Sequence, residues 1–68
     1  MLKNILSRNS KARAAFNELR AVHNSKAAAG FMVVARFAEN ERQRDRAIDA
    51  LIICHPKAHS REMDAERN

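Results

Sequence analysis

Hydrophobic residues recur at intervals of three and four along the first third of the chain. This spacing predicts an amphipathic helix, because 3.6 residues per turn bring such positions onto one face. The pattern lapses at residues 7–10, where Asn9 and Ser10 are good helix N-caps. The sequence therefore allows two helices, the second starting near Lys11, or one continuous helix ending near His23. The stripe consists of Leu2, Ile5, Leu6, Ala12, Ala15, Phe16, Leu19 and Val22.

A nearly unbroken apolar segment, SKAAAGFMVVARFA, begins at Ser25. Ser25 can cap a helix that starts at Lys26 and ends near Glu39. Gly30 inside that helix costs about 1 kcal/mol relative to alanine, which indicates that another element approaches the backbone there. The rival interpretation is a strand over residues 31–37, because Val and Phe favour sheets. We favour the helix, since the chain offers no partner strand of its own.

A third pattern starts at Asn40, where Gln43 follows three residues later in a capping-box arrangement. Pro56 disfavours helical geometry at the residue before it, so this helix should end near Cys54. Its predicted apolar face consists of Ala47, Ile48, Leu51 and Ile52. Beyond it, residues 56–68 are polar and mixed in charge, which predicts either a polar tail or a short terminal helix capped by Ser60. We therefore place a single helical domain at residues 1–55.

Together these patterns predict an all-α fold, a small three-helix or four-helix bundle around a central apolar helix at about 26–39. A chain of 68 residues buries only about 60% of the surface that its unfolded form exposes. Small domains gain stability from disulfides, metals or oligomerisation. Cys54 is the only cysteine, so an intrachain disulfide is excluded, and we expect a homodimer that associates through the central helix.

Charge is distributed unevenly along the chain. Residues 1–36 carry seven Lys or Arg and one Glu, whereas residues 37–68 carry six Lys or Arg and seven Asp or Glu. The basic first half suggests an anionic partner, which could be nucleic acid or an acidic surface. The plain alternative is that these charges only keep a small protein in solution. The candidate residues for an anionic partner are Arg8, Lys11, Arg13 and Arg20.

Two features bear on membrane association, the length of the apolar segment and the basic residues of the N-terminal amphipathic helix. A spanning helix needs roughly 20 apolar residues, but the run from Ala27 to Ala38 has 12 and contains Arg36. We therefore expect no transmembrane segment. The basic amphipathic first helix could instead lie on a membrane surface, and its acid-poor opening has the look of an organelle transit peptide.

Candidate chemistry is sparse. Cys54, His55 and His59 fall within six residues, but their spacing does not match the usual paired zinc ligands. A lone Cys beside a His lacks the third group that would orient a nucleophile and its base. We therefore predict no catalytic residues, no metal, no cofactor and no small-molecule substrate, and hence no enzyme. A single unpaired cysteine is typical of a reducing compartment, so we expect a cytoplasmic protein.

The sequence leaves three hypotheses for function. The first is a non-enzymatic interaction protein of the regulator or inhibitor type that docks on another macromolecule. Its candidate partner-binding residues are Phe31, Val34, Arg36 and Phe37, because large apolar residues and Arg dominate binding hot spots. The alternatives are a small basic nucleic-acid-binding protein that uses the N-terminal half, and a peripheral membrane protein that uses the same half.

Overall fold

The computed structural model describes the backbone of residues 2–67 and the side chains of residues 2–64. Of the described chain, 89% is helical and no part of it forms a strand. The all-α prediction is therefore confirmed, but the described residues form five helices rather than three or four. The helices are α1 (Leu2–Arg8), α2 (Ser10–His23), α3 (Lys26–Phe37), α4 (Glu41–Cys54) and α5 (Pro56–Arg67).

Polar side chains cap the first turns of three helices, α2, α3 and α4. The Asn9 side chain accepts hydrogen bonds from the amides of Lys11 and Ala12, at 2.9 and 3.2 Å. Its extended backbone separates α1 from α2, so the N-terminal segment is two helices. Ser25 caps α3 and Asn40 caps α4 in the same way. Helix α3 ends at Phe37, two residues before the predicted end, and the strand interpretation of this segment is wrong.

The core is built around α3, which packs between α2 and α4. Met32 and Val33 of α3 are its largest fully enclosed side chains. Helix α1 lies against α2 and α3, and α5 lies against α4. The central apolar helix of the sequence prediction is therefore the centre of the fold, enclosed mainly by elements of its own chain.

The buried stripe of α2 differs from the predicted one at its end. Ala12, Phe16 and Leu19 are buried, as their spacing predicts. Val22 is 64% exposed, and the next residue, His23, points inward with a side chain that is 2% exposed. The reason is helical geometry, because His23 follows Phe16 by seven residues and Leu19 by four, which keeps it on the inner face. Val22 follows Phe16 by six residues, which turns it away from that face.

The second half of the chain differs from the sequence prediction at two places, the apolar face of α4 and the start of α5. On α4, Leu51 is buried but Ile52 is 48% exposed and Ile53 is 77% exposed. Helix α5 begins at Pro56, so Ser60 lies inside a helix and does not cap one. Proline is favoured at the first helical position, where its missing N–H would have no partner. Among the described residues, no helix has the length and apolar character needed to cross a membrane.

Candidate functional site

A groove about 570 Å³ in volume opens between α1, α3 and α4. We call it the docking groove. Its walls are largely apolar, and its polar members lie on the two helices that flank it. The residues that line it are Leu2 of α1, Lys26, Ala27, Gly30, Phe31 and Val34 of α3, and Gln43, Arg46 and Ala47 of α4.

Helix geometry explains why these residues share one surface. The α3 residues are separated by steps of three and four, which keep them on one face of the helix. Gly30 lies in the middle of that face. A Cβ atom added at Gly30 would come 3.0 Å from Cδ2 of Leu2, which is tighter than ordinary van der Waals contact. Glycine therefore lets α1 close on α3, as the sequence predicted for another element.

The electrostatic character of the docking groove is set by two cations. Lys26 begins α3 and Arg46 lies on α4, and both are exposed. None of the described side chains that line the groove is acidic. Gln43 is held in place because its Oε1 accepts a hydrogen bond from the amide of Glu39 at 3.2 Å. The groove thus combines an apolar floor with a positive edge.

The four predicted partner-binding residues do not form one patch. Phe31 and Val34 both line the docking groove. Phe37 is half-buried and packs against the core. Arg36 lies on another face of α3, where its guanidinium pairs with the carboxylate of Glu62 on α5. The docking groove instead includes Leu2, Lys26 and Arg46, which only the three-dimensional packing of α1 and α4 brings together.

The four predicted anion-binding residues are all exposed but do not share a single face. Arg13 and Arg20 are seven residues apart, which is about two helical turns, so both lie on one side of α2. Lys11 and Glu18 are also seven residues apart, and they lie together on a different side of α2. These positions therefore mix both signs of charge around the helix.

Three of these cations already have intramolecular contacts. Nη1 of Arg13 donates to the carbonyl oxygen of Leu6 at 2.7 Å, at the end of α1. Arg8 forms an exposed ion pair with Glu39, at 3.5 Å between Nη1 and Oε1. The Arg20 guanidinium lies 5.6 Å from the centre of the Phe16 ring. Arg13 in particular stabilises the junction of α1 and α2 by capping a free carbonyl.

Side chains that could carry metal or covalent chemistry form no metal-binding cluster among the described residues. Within residues 2–64, no three His, Cys, Asp or Glu side chains come together in a way that could hold a metal ion. The Cys54 thiol is exposed at the end of α4. The docking groove contains neither Cys nor His.

Comparisons with protein-family models, with curated proteins and with solved structures gave no match to this chain.

Proposed function

We propose that this chain is a non-enzymatic interaction protein, of the regulator or inhibitor type, that binds an acidic amphipathic helix of another protein. The docking groove supplies the binding surface. The observation that carries the proposal is an apolar groove with Lys26 and Arg46 at its edge and no acidic residue among its described lining side chains. A helix with two or three large apolar side chains and flanking Asp or Glu residues is complementary to that surface.

The size of the groove supports a short helical ligand. From Ala27 to Val34 the α3 wall rises about 10 Å, at 1.5 Å per residue. That length corresponds to about two turns of a bound helix. Phe31 and Val34 offer apolar contacts to side chains three or four residues apart on such a ligand. The apolar floor should supply most of the affinity, and the two cations should contribute orientation and specificity.

Nucleic acid fits the docking groove less well. The backbone of a nucleic acid exposes phosphate groups, and a protein binds them with Lys and Arg side chains arranged along a track. The groove has two cations around an apolar floor, and the basic residues of α2 are divided between two sides. A duplex would offer no apolar surface to the floor of the groove, to which Phe31 and Val34 belong. The arrangement of the side chains therefore supports nucleic-acid binding less well than it supports binding of a protein helix.

A set of three synthetic peptides tests the proposal directly. The first has leucines at helical spacing flanked by Glu, the second has Lys in place of Glu, and the third has Ser in place of Leu. We expect only the first to bind with measurable affinity by fluorescence anisotropy, and its affinity should fall as salt rises because charge contributes. Amide shifts in NMR spectra should concentrate around Gly30, Phe31 and Ala47.

Charge reversal at the groove edge provides the protein-side test. Arg46→Glu should weaken binding of the Glu peptide by about tenfold, because one attraction becomes one repulsion. Arg42→Glu is the matched control, since Arg42 is also an exposed α4 residue but does not line the groove. Equal losses in the two variants, equal binding of all three peptides, or binding of a short DNA duplex with the same amide shifts would each contradict the proposal.

A further inference from the structure

A second cavity, of about 460 Å³, lies where the end of α2, the start of α3 and the junction of α4 with α5 meet. We call it the His23 cavity. It shares no lining residue with the docking groove. Two cations, Lys57 and Arg61, and two imidazoles line it, and none of the described side chains in its lining is acidic. The full lining is His23, Ser25, Ala28, Cys54, His55, Pro56, Lys57, Ala58 and Arg61.

His23 has an unmet hydrogen-bonding need within this cavity. Its side chain is 2% exposed, and neither Nδ1 nor Nε2 has a hydrogen-bond partner among the described residues. The nearest carboxylate oxygen, Oε2 of Glu62, is 3.9 Å from Nε2, which is too far for a hydrogen bond. Buried polar groups in folded proteins are nearly always paired, so a partner from outside the chain would complete this site.

The charges around His23 favour an anion as that partner. The carboxylate of Glu62 is engaged by the guanidinium of Arg36, and Arg61 lies on the same turn of α5 as Glu62. Burial, with the nearby charges of Arg61 and Arg36, lowers the pKa of His23 below its ordinary value. One carboxylate, that of Glu62, therefore lies at ion-pair distance from Nε2 and is shared with Arg36, so the two arginines outnumber it around the ring.

The start of α5 adds backbone donors to the same cavity. The first backbone hydrogen bond of this helix runs from the amide of His59 to the carbonyl of His55, at 3.0 Å. Pro56 has no N–H, so the amides of Lys57 and Ala58 are the two first-turn donors without an intrahelical acceptor. Free amides at a helix N-terminus, together with the helix dipole, favour an anion.

Ser25 offers one more donor from the opposite wall. Its Oγ accepts a hydrogen bond from the amide of Ala28 at 3.2 Å. This bond uses an oxygen lone pair and leaves the hydroxyl proton free to donate. The cavity therefore gathers amide, hydroxyl, imidazole and guanidinium donors from α2, α3 and α5.

We propose that the His23 cavity binds a tetrahedral oxyanion, as inorganic phosphate or as the phosphate group of a small monoester. The amides of Lys57 and Ala58 and the Arg61 guanidinium hold its oxygens, and an imidazole N–H of His23 donates to it from the interior. A tetrahedral anion suits this arrangement because its oxygens point in several directions, as the donors of the three helices require. The site is independent of the proposed docking function.

An NMR titration of the whole chain with inorganic phosphate tests this site. Ionic strength is held constant with chloride, so that general screening does not change. We expect saturable shifts centred on the amides of Lys57 and Ala58. We also expect the pKa of the His23 ring to rise on saturation, because the bound anion stabilises the imidazolium. A parallel titration with glycerol phosphate separates the two sources, since tighter binding of the monoester identifies a phosphorylated small molecule.

Two exposed arginines provide a matched pair of variants. Arg61→Gln should weaken phosphate binding by about tenfold or more, because it removes a charge-assisted contact. Arg42→Gln changes the net charge equally on a residue outside the cavity and should leave binding unchanged. Should Arg61→Gln fail to fold, Lys57→Gln takes its place. Shifts that do not saturate, equal effects of the two arginine variants, or an unchanged His23 pKa at saturating phosphate would overturn the proposal.

Discussion

At the scale of single residues, His23 links the stability of the fold to pH. Burial and the adjacent arginines lower its pKa in the folded chain, whereas in the unfolded chain it should titrate near 6.5. Between these two values the unfolded state binds more protons, so the free energy of unfolding rises with pH. The contribution of His23 is fully present above about pH 6.5 and is lost as the pH falls below it.

This dependence can be measured by denaturation between pH 5 and pH 8, in buffers that contain no phosphate or sulfate. We expect the wild-type chain to lose stability below about pH 6.5, and His23→Leu to lose that part of the dependence because Leu does not titrate. His59→Gln serves as the control, since it also removes one imidazole but leaves His23 in place. An identical pH profile for wild type and His23→Leu would contradict the assignment.

At the scale of the elements, the helix boundaries depend on short polar side chains at a few positions. Asn9 is the clearest case, because its Oδ1 accepts from two first-turn amides of α2. We expect Asn9→Ala to lower the free energy of unfolding by about 1 kcal/mol, as for a typical N-cap. Asn17→Ala is the control, since Asn17 is exposed inside α2 and alanine is the better helix former there. Urea denaturation of the two variants measures the difference, and equal stability would show that Asn9 does not act as a cap.

The same local chemistry explains which boundaries the sequence could predict. Asn9, Ser25 and Asn40 are caps whose effect depends on the next few residues, so the pattern predicts where α3 and α4 begin. It leaves open whether residues 1–23 form one helix or two, which the structure decides by the cap at Asn9. The start of α5 is different, because Ser60 and Pro56 both carry a start signal. Only the position of Pro56 directly after the end of α4 decides between them, since proline fits the first turn without losing a hydrogen bond.

The candidate site was less predictable, and the reason is tertiary packing. The spacing of Phe31 and Val34 places them on one face, and Gly30 signals a close approach. Nothing in the local pattern shows that Leu2 is the approaching group. In the same way, Arg36 is a reasonable partner-binding residue until α5 brings Glu62 beside it. Contacts between helices that are far apart in sequence cannot be predicted from the local pattern of a single sequence.

At the scale of the whole molecule, the docking groove and the His23 cavity both have lining residues at the start of α3. Ala27 lines the groove, whereas Ser25 and Ala28 line the cavity. One aromatic contact joins the two sites, because the Phe31 ring in the groove lies 6.1 Å from the His55 ring at the cavity. Helix α3 therefore contributes residues to both the docking groove and the His23 cavity. Its many small and apolar residues suit it to both.

Self-association is the prediction that belongs to this scale. Met32 and Val33 are enclosed by their own chain, so a second copy cannot contact them. The cations at the docking groove also repel their counterparts in a groove-to-groove dimer. Large apolar side chains are exposed on α2 at Val22, on α5 at Met63 and on α4, where Ile52 and Ile53 are adjacent. Burying such side chains is worth about 2 kcal/mol each, which would help a chain with few large core residues.

Sedimentation equilibrium at micromolar concentration decides whether the dimer forms. We expect a species of twice the 7.7 kDa chain mass, and Ile53→Asp should shift it to the monomer because a buried charge without a partner opposes association. Ala14→Asp is the control, since Ala14 is exposed on α2 and the added charge is the same. A wild-type mass of 7.7 kDa at all concentrations would exclude the dimer, and dissociation by both variants would show that net charge, rather than the α4 surface, governs association.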